Sequence, residues 1–196
     1  MTEPDTLPVF PLHAVLLPGG LLPLRIFEAR YLDMVSRCLR EDSGFVVALI
    51  RKGQETGRGA EVHDVGTLAR IADWRQGDDG LLEITARGEG RVRLLATEVR
   101  PDQLVVGRVR ALPAPPPRPL PAEFDSLARL LEKILQEIGP PWSGQTPRLD
   151  DAEWVGGRLA EMLPLDMAHK QALLEMDDPL ARLFRLRDLM LNLDVI

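Results

Sequence analysis

Residues 8–35 read PVFPLHAVLLPGGLLPLRIFEARYLDMV, and this stretch decides the fold class. Its apolar run from Leu7 to Leu24 is cut by Pro8, Pro11, Pro18 and Pro23 and by Gly19-Gly20. A spanning helix cannot tolerate such interruptions, so the run predicts short extended pieces joined by turns. LPVF at 7–10 predicts a strand. AVLLPGG at 14–20 predicts a second one ending in a Pro-Gly-Gly turn. The period then changes. Phe27, Tyr31, Met34, Val35, Cys38 and Leu39 recur at helical spacing and predict one apolar helix face, while Glu28, Arg30, Arg37 and Arg40 lie largely elsewhere. Ser43-Gly44 is the expected end of this helix.

Outward from that stretch, further strands are expected at 45–50, 65–74, 81–88, 91–99 and 104–112. In RVRLLATEV, Val92, Leu94 and Ala96 should face one way and Arg91, Arg93 and Leu95 the other. GDDG at 77–80 is a hairpin turn, because Gly and Asp tolerate positive φ. RGEGR at 87–91 reads as a second turn between strands. Short strands with one early helix predict a closed or nearly closed antiparallel barrel.

ALPAPPPRPLPA at 111–122 favours an extended polyproline path and reads as a connector. The expected organisation is a β-rich unit over 1–112, a Pro-rich linker over 113–123 and a helical bundle over 124–196. In that bundle Phe124, Leu127, Leu131, Ile134 and Ile138 form a stripe ended by Gly139-Pro140-Pro141. A second helix is expected over 149–163. Asp166 is an expected N-cap, and Asp178-Pro179 reads as a cap followed by proline at the first helical position. Leu180, Leu183, Phe184 and Leu191 continue the last helix.

Composition narrows the function. The 196 residues are 45% hydrophobic and 28% charged, ordinary for a soluble domain and contrary to disorder. A single cysteine excludes an intramolecular disulfide and suits a reducing cytoplasm. The acidic opening Met1-Thr2-Glu3-Pro4-Asp5 lacks the basic character of a secretory signal. The net charge of −6 opposes general binding to phosphate backbones. The imbalance sits late: through Leu112 there are 15 basic and 16 acidic residues, and beyond it 9 and 14. Arg87, Arg91 and Arg93, extended by Arg108 and Arg110, read as a solvated face with salt bridges, with an RNA or anion site as the minor alternative. Aromatics at 5% offer little base stacking.

No catalytic constellation is visible. There is no GxxxxGK[ST] phosphate loop, no GxGxxG opening a helix and no G-x-S-x-G elbow. His13, His63 and His169 share no metal spacing with Cys38. Cys38, on the apolar helix face, reads as a buried structural thiol. Asp150, Asp151 and Glu153 read as a solvated helix start. No catalytic, cofactor-binding or metal-binding residue is assigned. An enzyme whose residues converge only on folding ranks last.

The stretch at 8–35 resembles the opening of the substrate-binding domain of Lon proteases. The residues that carry the likeness include Phe10, Pro11, Leu12, Pro18, Gly19, Pro23, Leu24, Ile26, Phe27, Glu28, Arg30, Tyr31 and Met34. VGTLARI at 65–71, ARGEGRVRLL at 86–95 and LPLDMAHKQALLEMDDPLARL at 163–183 extend it along most of the chain. The resemblance implies an α+β fold: a PUA-like antiparallel β-barrel with an inserted helix, followed by a C-terminal helical bundle. It also implies recognition of unfolded or partner proteins without catalysis. Lon proteases carry ATPase and Ser–Lys peptidase modules, which these residues do not contain, so a stand-alone relative of the recognition domain is the expectation.

Pro11, Pro18, Gly19, Arg25, Phe27, Glu28, Arg30 and Tyr31 then read as mainly structural. Phe27 and Tyr31 are expected in the core, and Glu28 and Arg30 as a pair. Leu12, Val15, Leu16, Leu17, Leu21 and Leu22, in a loop-rich apolar stretch, are the candidates for an exposed peptide-binding patch. An apolar groove or an open strand edge would supply the binding. RNA binding is the alternative, since PUA-like barrels also occur in RNA-associated proteins.

Overall fold

The computed structural model describes residues 5–192. The chain divides into two compact units, Met1–Pro113 and Ala114–Ile196. The first is built on seven strands: β1 (Asp5–Leu12), β2 (Leu21–Ile26), β3 (Phe45–Lys52), β4 (Glu61–Val62), β5 (Val65–Gln76), β6 (Leu82–Val99) and β7 (Val105–Ala111). Helix α1 (Ala29–Glu41) lies between β2 and β3 in sequence. The second unit holds α2 (Asp125–Glu137), α3 (Ala152–Met162), α4 (Met167–Glu175) and α5 (Pro179–Asn192).

The strand pairings return on themselves. β1 pairs β7, β7 pairs β6, β6 pairs β5, β5 pairs β3, and β3 pairs β1. The last pairing departs from the expected all-antiparallel sheet: β1 and β3 run parallel, with Val9 opposite Val46 and Leu12 opposite Leu49. A parallel pair needs a long crossover, and β2 with α1 supplies it. β3 is buried on both faces, which explains its unbroken apolar run. Phe45 and Val47 join a core cluster with Phe10, Tyr31, Met34 and Cys38. Val46 and Ala48 join a second cluster with Val9, Val92, Leu94 and Val109.

α1 forms where the helical period predicts it, and ends at Asp42, which takes a left-handed φ of 46°. Tyr31, Met34, Val35 and Cys38 are buried on its inner face. Two residues assigned to that face are not: Leu39 is exposed, and Phe27 precedes the helix and is 58% exposed. The chain enters the helix at Glu28, so Phe27 lies between β2 and α1 and escapes the helical period.

Two further expectations are corrected. Residues 14–20 are not a strand; they form a loop closed by a turn at Pro18-Gly19, with the Gly20 N–H donating to the Leu17 carbonyl at 2.9 Å. The strand lies just after it, as β2. RGEGR is not a turn but the middle of the continuous 18-residue β6. Its pairing with β5 slips between Leu68 and Ala69, opposite Gly90 and Gly88. The glycines there serve a bulge rather than a reversal.

Gly88 has a stricter reason. Its N–H donates to the Gly20 carbonyl at 3.0 Å, and its carbonyl accepts from the Gly19 N–H at 2.8 Å. A Cβ at Gly88 would lie 2.4 Å from the Leu17 carbonyl oxygen. The clash is with backbone, so it cannot be relieved by a rotamer change. Gly88→Ala should therefore destabilise the first unit by about 1–3 kcal/mol, the usual cost of overpacking, in a urea titration followed by circular dichroism.

Asp166 and Asp178 cap helix starts as the sequence predicts, and Asp151 adds a third cap. The Asp151 carboxylate accepts from the Glu153 and Trp154 N–H groups. Asp166 accepts from the His169 N–H at 2.7 Å, and Asp178 from the Leu180 N–H at 3.0 Å. Glu153 is not merely part of a solvated terminus, because its carboxylate meets the buried Arg182 guanidinium at 2.6 Å. Between β7 and the first helical turn at Ala122–Phe124, the proline-rich stretch holds one isolated bridge, Pro119 to Asp151.

Candidate functional site

A cavity of about 320 Å³ opens in the first unit. That is near the lower end of ligand-sized sites, about 300–1,000 Å³. β2 and the residues that follow it form one wall, with Pro23, Leu24, Arg25, Ile26, Phe27 and Glu28. Phe10 and Leu12 of β1, Tyr31 of α1, and Glu55 and Thr56 of the loop after β3 complete the lining. All six residues of PLRIFE, 23–28, thus line one concave surface.

β2 borders the cavity as an edge. It pairs only with β6 among the described residues, from Leu21 opposite Arg87 to Ile26 opposite Leu82. Gly20 sits opposite Gly88 one step before, where the Gly88 N–H reaches the Gly20 carbonyl. Alternation from that point turns the backbone groups of Leu22, Leu24 and Ile26 toward β6. Pro23 falls where an N–H would face away from β6, the position at which an edge strand tolerates proline. Leu22, Leu24 and Ile26 pack on the core cluster, which fixes the register.

The Glu28-x-Arg30-Tyr31 motif holds the opposite side in place. Arg30 is buried in the first turn of α1, where a cation opposes the helix dipole. Its contacts compensate. The guanidinium donates to the Gln103 carbonyl at 2.6 Å and the Glu55 carbonyl at 3.3 Å, and meets the Glu28 carboxylate at 3.0 Å. It also lies 4.6 Å from the centre of the Tyr31 ring. Glu28 accepts in addition from the Gly57 N–H at 3.2 Å. Arg30 and Glu28 therefore tie α1 to the loop after β3, and Arg30 also to the turn before β7. The expected Glu28–Arg30 pair is present within this larger network.

Tyr31 stacks on Phe10 with ring centres 4.0 Å apart, and only 3% of it is exposed. Burial, with further pressure from Glu28 and Glu55, outweighs the opposing Arg30 charge and pushes its hydroxyl pKa up to about 12. The phenol therefore stays neutral. Arg25 is exposed and paired with Asp79 of the GDDG turn. At the opposite extreme of exposure from Tyr31 is Phe27, whose ring lies largely in solvent.

The patch expected around Leu12–Leu22 is corrected. Leu12, Val15, Leu16 and Leu17 are buried, and Leu21 and Leu22 are half-buried. The Thr67 hydroxyl donates to the Leu16 carbonyl at 2.5 Å and draws the loop inward. An apolar loop that covers its own core has the same sequence character as one that binds a partner. Only the first alternative buries Leu17 completely. Of these candidates, Leu12 alone lines the cavity.

Arg91 is also corrected. It is buried, and its guanidinium donates to the Pro113 carbonyl at 3.3 Å, whereas Arg87, Arg93, Arg108 and Arg110 are exposed. The register runs unbroken from Gly90 to Arg93, so Arg91 keeps the face that alternation gives it; it is buried there with the chain at Leu112-Pro113 bonded to it. Cys38 is buried, and burial raises its thiol pKa. The His169 ring meets Asp166 at 3.1 Å as a helix-start pair. Among the described residues, no group of three or more His, Cys, Asp or Glu could hold a metal ion. No described helix is long and apolar enough to cross a membrane.

Comparison with known proteins places this geometry. The model of the ATP-dependent protease La (LON) substrate-binding domain matches residues 6–192. The crystal structure of a Lon N-terminal domain protein from Xanthomonas campestris is 41% identical, with a TM-score of 0.78 over 94% of this chain and 98% of that one. The N-terminal domain of Mycobacterium avium complex Lon protease shares the fold, with a TM-score of 0.65 at 22% identity over 94% of this chain and 97% of that one. The Lon protease of Haemophilus influenzae is 24% identical over 91% of this chain, and Lon protease 2 of Myxococcus xanthus 26% over 92%. In both cases the match covers 23% of the relative, so the chain spans about a quarter of their length.

Proposed function

The chain belongs to the family of Lon substrate-binding domains, and from that premise we propose that it is a non-catalytic protein-recognition module. Its ligand is unfolded polypeptide, or an extended segment of a partner protein. The first unit is read as a PUA-like barrel whose surface groove does the binding. The observation that carries this reading is the juxtaposition of an open strand edge, β2, with the cavity it lines, and with Phe27 exposed just after that strand. An extended peptide can add main-chain hydrogen bonds at such an edge while its side chains enter the groove. An exposed aromatic at the mouth is the residue type that most often dominates binding energy.

The test is binding of a carboxymethylated, permanently unfolded carrier protein, measured without nucleotide. The expected result is saturable binding, and Phe27→Asp should weaken it about tenfold or more, with an unchanged melting temperature. Phe27 lies largely in solvent, so its replacement leaves the core intact. Absence of binding by the unaltered protein, to the unfolded carrier and to synthetic peptides alike, overturns the reading.

A further inference from the structure

The polar groups at one end of the cavity are unevenly satisfied. Leu12, Leu24 and Ile26 supply aliphatic lining, and the Phe10 and Tyr31 rings stack beside them. Toward Glu28 and Glu55 the character changes. The Glu28 carboxylate is matched by Arg30 and the Gly57 N–H. Arg25, on the β2 side, is matched by Asp79. The Glu55 backbone carbonyl accepts from Arg30, but the Glu55 carboxylate has no ion-pair partner among the described residues; the one hydrogen bond to that carboxylate comes from the His13 backbone N–H. The Tyr31 side chain lines the same cavity, and its hydroxyl makes no hydrogen bond among the described residues. The cavity thus offers one uncompensated negative charge and one unused hydroxyl, set against aliphatic and aromatic walls.

We infer that this cavity takes one long side chain with an apolar stem and a cationic end, lysine or arginine, from an extended peptide laid along β2. This rests on the recognition reading above and adds to it the chemistry of the residue selected. The methylene stem would lie against Leu12, Leu24 and Ile26, as long basic side chains do on apolar surface. The charged end would meet Glu55, the one lining charge left without a counterion, and donate to the Tyr31 hydroxyl. The Phe27 ring at the mouth is suited to a cation on its face. A glutamate in the same place would bring like charge to Glu55, and a leucine would leave Glu55 and the Tyr31 hydroxyl unmatched.

The probes are short labelled peptides of alternating leucine and threonine, with lysine, arginine, leucine or glutamate at the centre, read by fluorescence anisotropy. Lysine and arginine peptides should bind about tenfold more tightly than the glutamate peptide. Glu55→Gln keeps an acceptor for the His13 N–H and removes only the charge. Tyr31→Phe keeps the stack on Phe10 and removes only the hydroxyl. Glu55→Gln should bring the lysine and glutamate peptides to near parity, and Tyr31→Phe should narrow the gap. The leucine peptide should bind either variant somewhat more tightly, because each substitution removes a charge or a hydroxyl that leucine leaves unmatched. Equal binding of lysine and glutamate peptides by the unaltered protein overturns the inference, as does a lysine preference that survives Glu55→Gln. If no peptide binds but the unfolded carrier protein does, the recognition reading stands and this assignment of the cavity fails. If neither binds, both fail.

Discussion

Arg182→Ala is expected to destabilise the helical unit by about 3–5 kcal/mol, the usual cost of removing one partner from a buried ion pair. The Arg182 side chain is only 1% exposed. Its guanidinium meets the Glu153 carboxylate at 2.6 Å and donates to the Leu173 carbonyl at 2.9 Å and the Met176 carbonyl at 2.7 Å. One side chain therefore joins the start of α3 to the end of α4 from a position on α5. Alanine would take its charge from Glu153 and the guanidinium donors from the two carbonyls. It would also open a cavity beside Gly156, where the arginine stem packs at an ordinary contact distance. Trp154 is buried on α3 and reports the event. Urea unfolding followed by tryptophan fluorescence should show the helical transition earlier by about 1–3 M. A shift much below that range would mean that the network contributes geometry without net stability. Glu153→Gln, which keeps an acceptor, should cost clearly less.

Arg30→Ala is the second large effect, and it should appear in two readouts. Arg30 is as enclosed as a core residue, and removing it leaves the Gln103 and Glu55 carbonyls and the Glu28 carboxylate without its donors. The expected cost is again about 3–5 kcal/mol in the first unit. The local consequence is sharper. The loop carrying Glu55 and Gly57 is tethered to α1 chiefly through this network, so amide exchange at Gly57 should accelerate more than exchange in β3. Binding of the unfolded carrier should weaken as well, because Glu55 and Thr56 form part of the cavity lining. Arg30→Lys is a discriminating control. Lysine preserves the charge but cannot reproduce the planar fork that reaches two carbonyls and a carboxylate together, so it should rescue little. Full rescue by lysine would show that charge, rather than geometry, holds the loop.

Much of the architecture was legible in short-range pattern. The helical period named Tyr31, Met34, Val35 and Cys38 as the inner face of α1, and all four are buried. GDDG at 77–80 forms the turn between β5 and β6, with the Gly77 N–H bonded to the Leu81 carbonyl. Asp151, Asp166 and Asp178 each accept backbone N–H groups where helices start. These features depend on residues within one or two turns of each other, so a linear reading contains their causes. The resemblance of residues 8–35 to the Lon family was legible for the same reason, as a run of specific neighbours.

The candidate site was only half legible. Phe27 reads in sequence as core and Leu12, Val15, Leu16 and Leu17 as surface, and the structure reverses both. Hydrophobicity states that a side chain prefers to leave water; it does not state what will cover it. Phe27 lies just before the helix that would have turned it inward. Leu16 and Leu17 are drawn inward because Thr67 and Gly88, far along the chain, receive their loop.

What the amino-acid sequence determined by itself was local: the inner face of α1, the reversal at GDDG and the capped helix starts. Tertiary structure decided the parallel β1–β3 pair, which a crossover permits but does not dictate. It also decided the burial of Arg30, Arg91 and Arg182 and the cavity beside β2. A buried arginine looks in sequence like a surface one. Its burial is tolerable only because carbonyls and carboxylates from several distant segments converge on it, and that convergence exists only once the chain has folded.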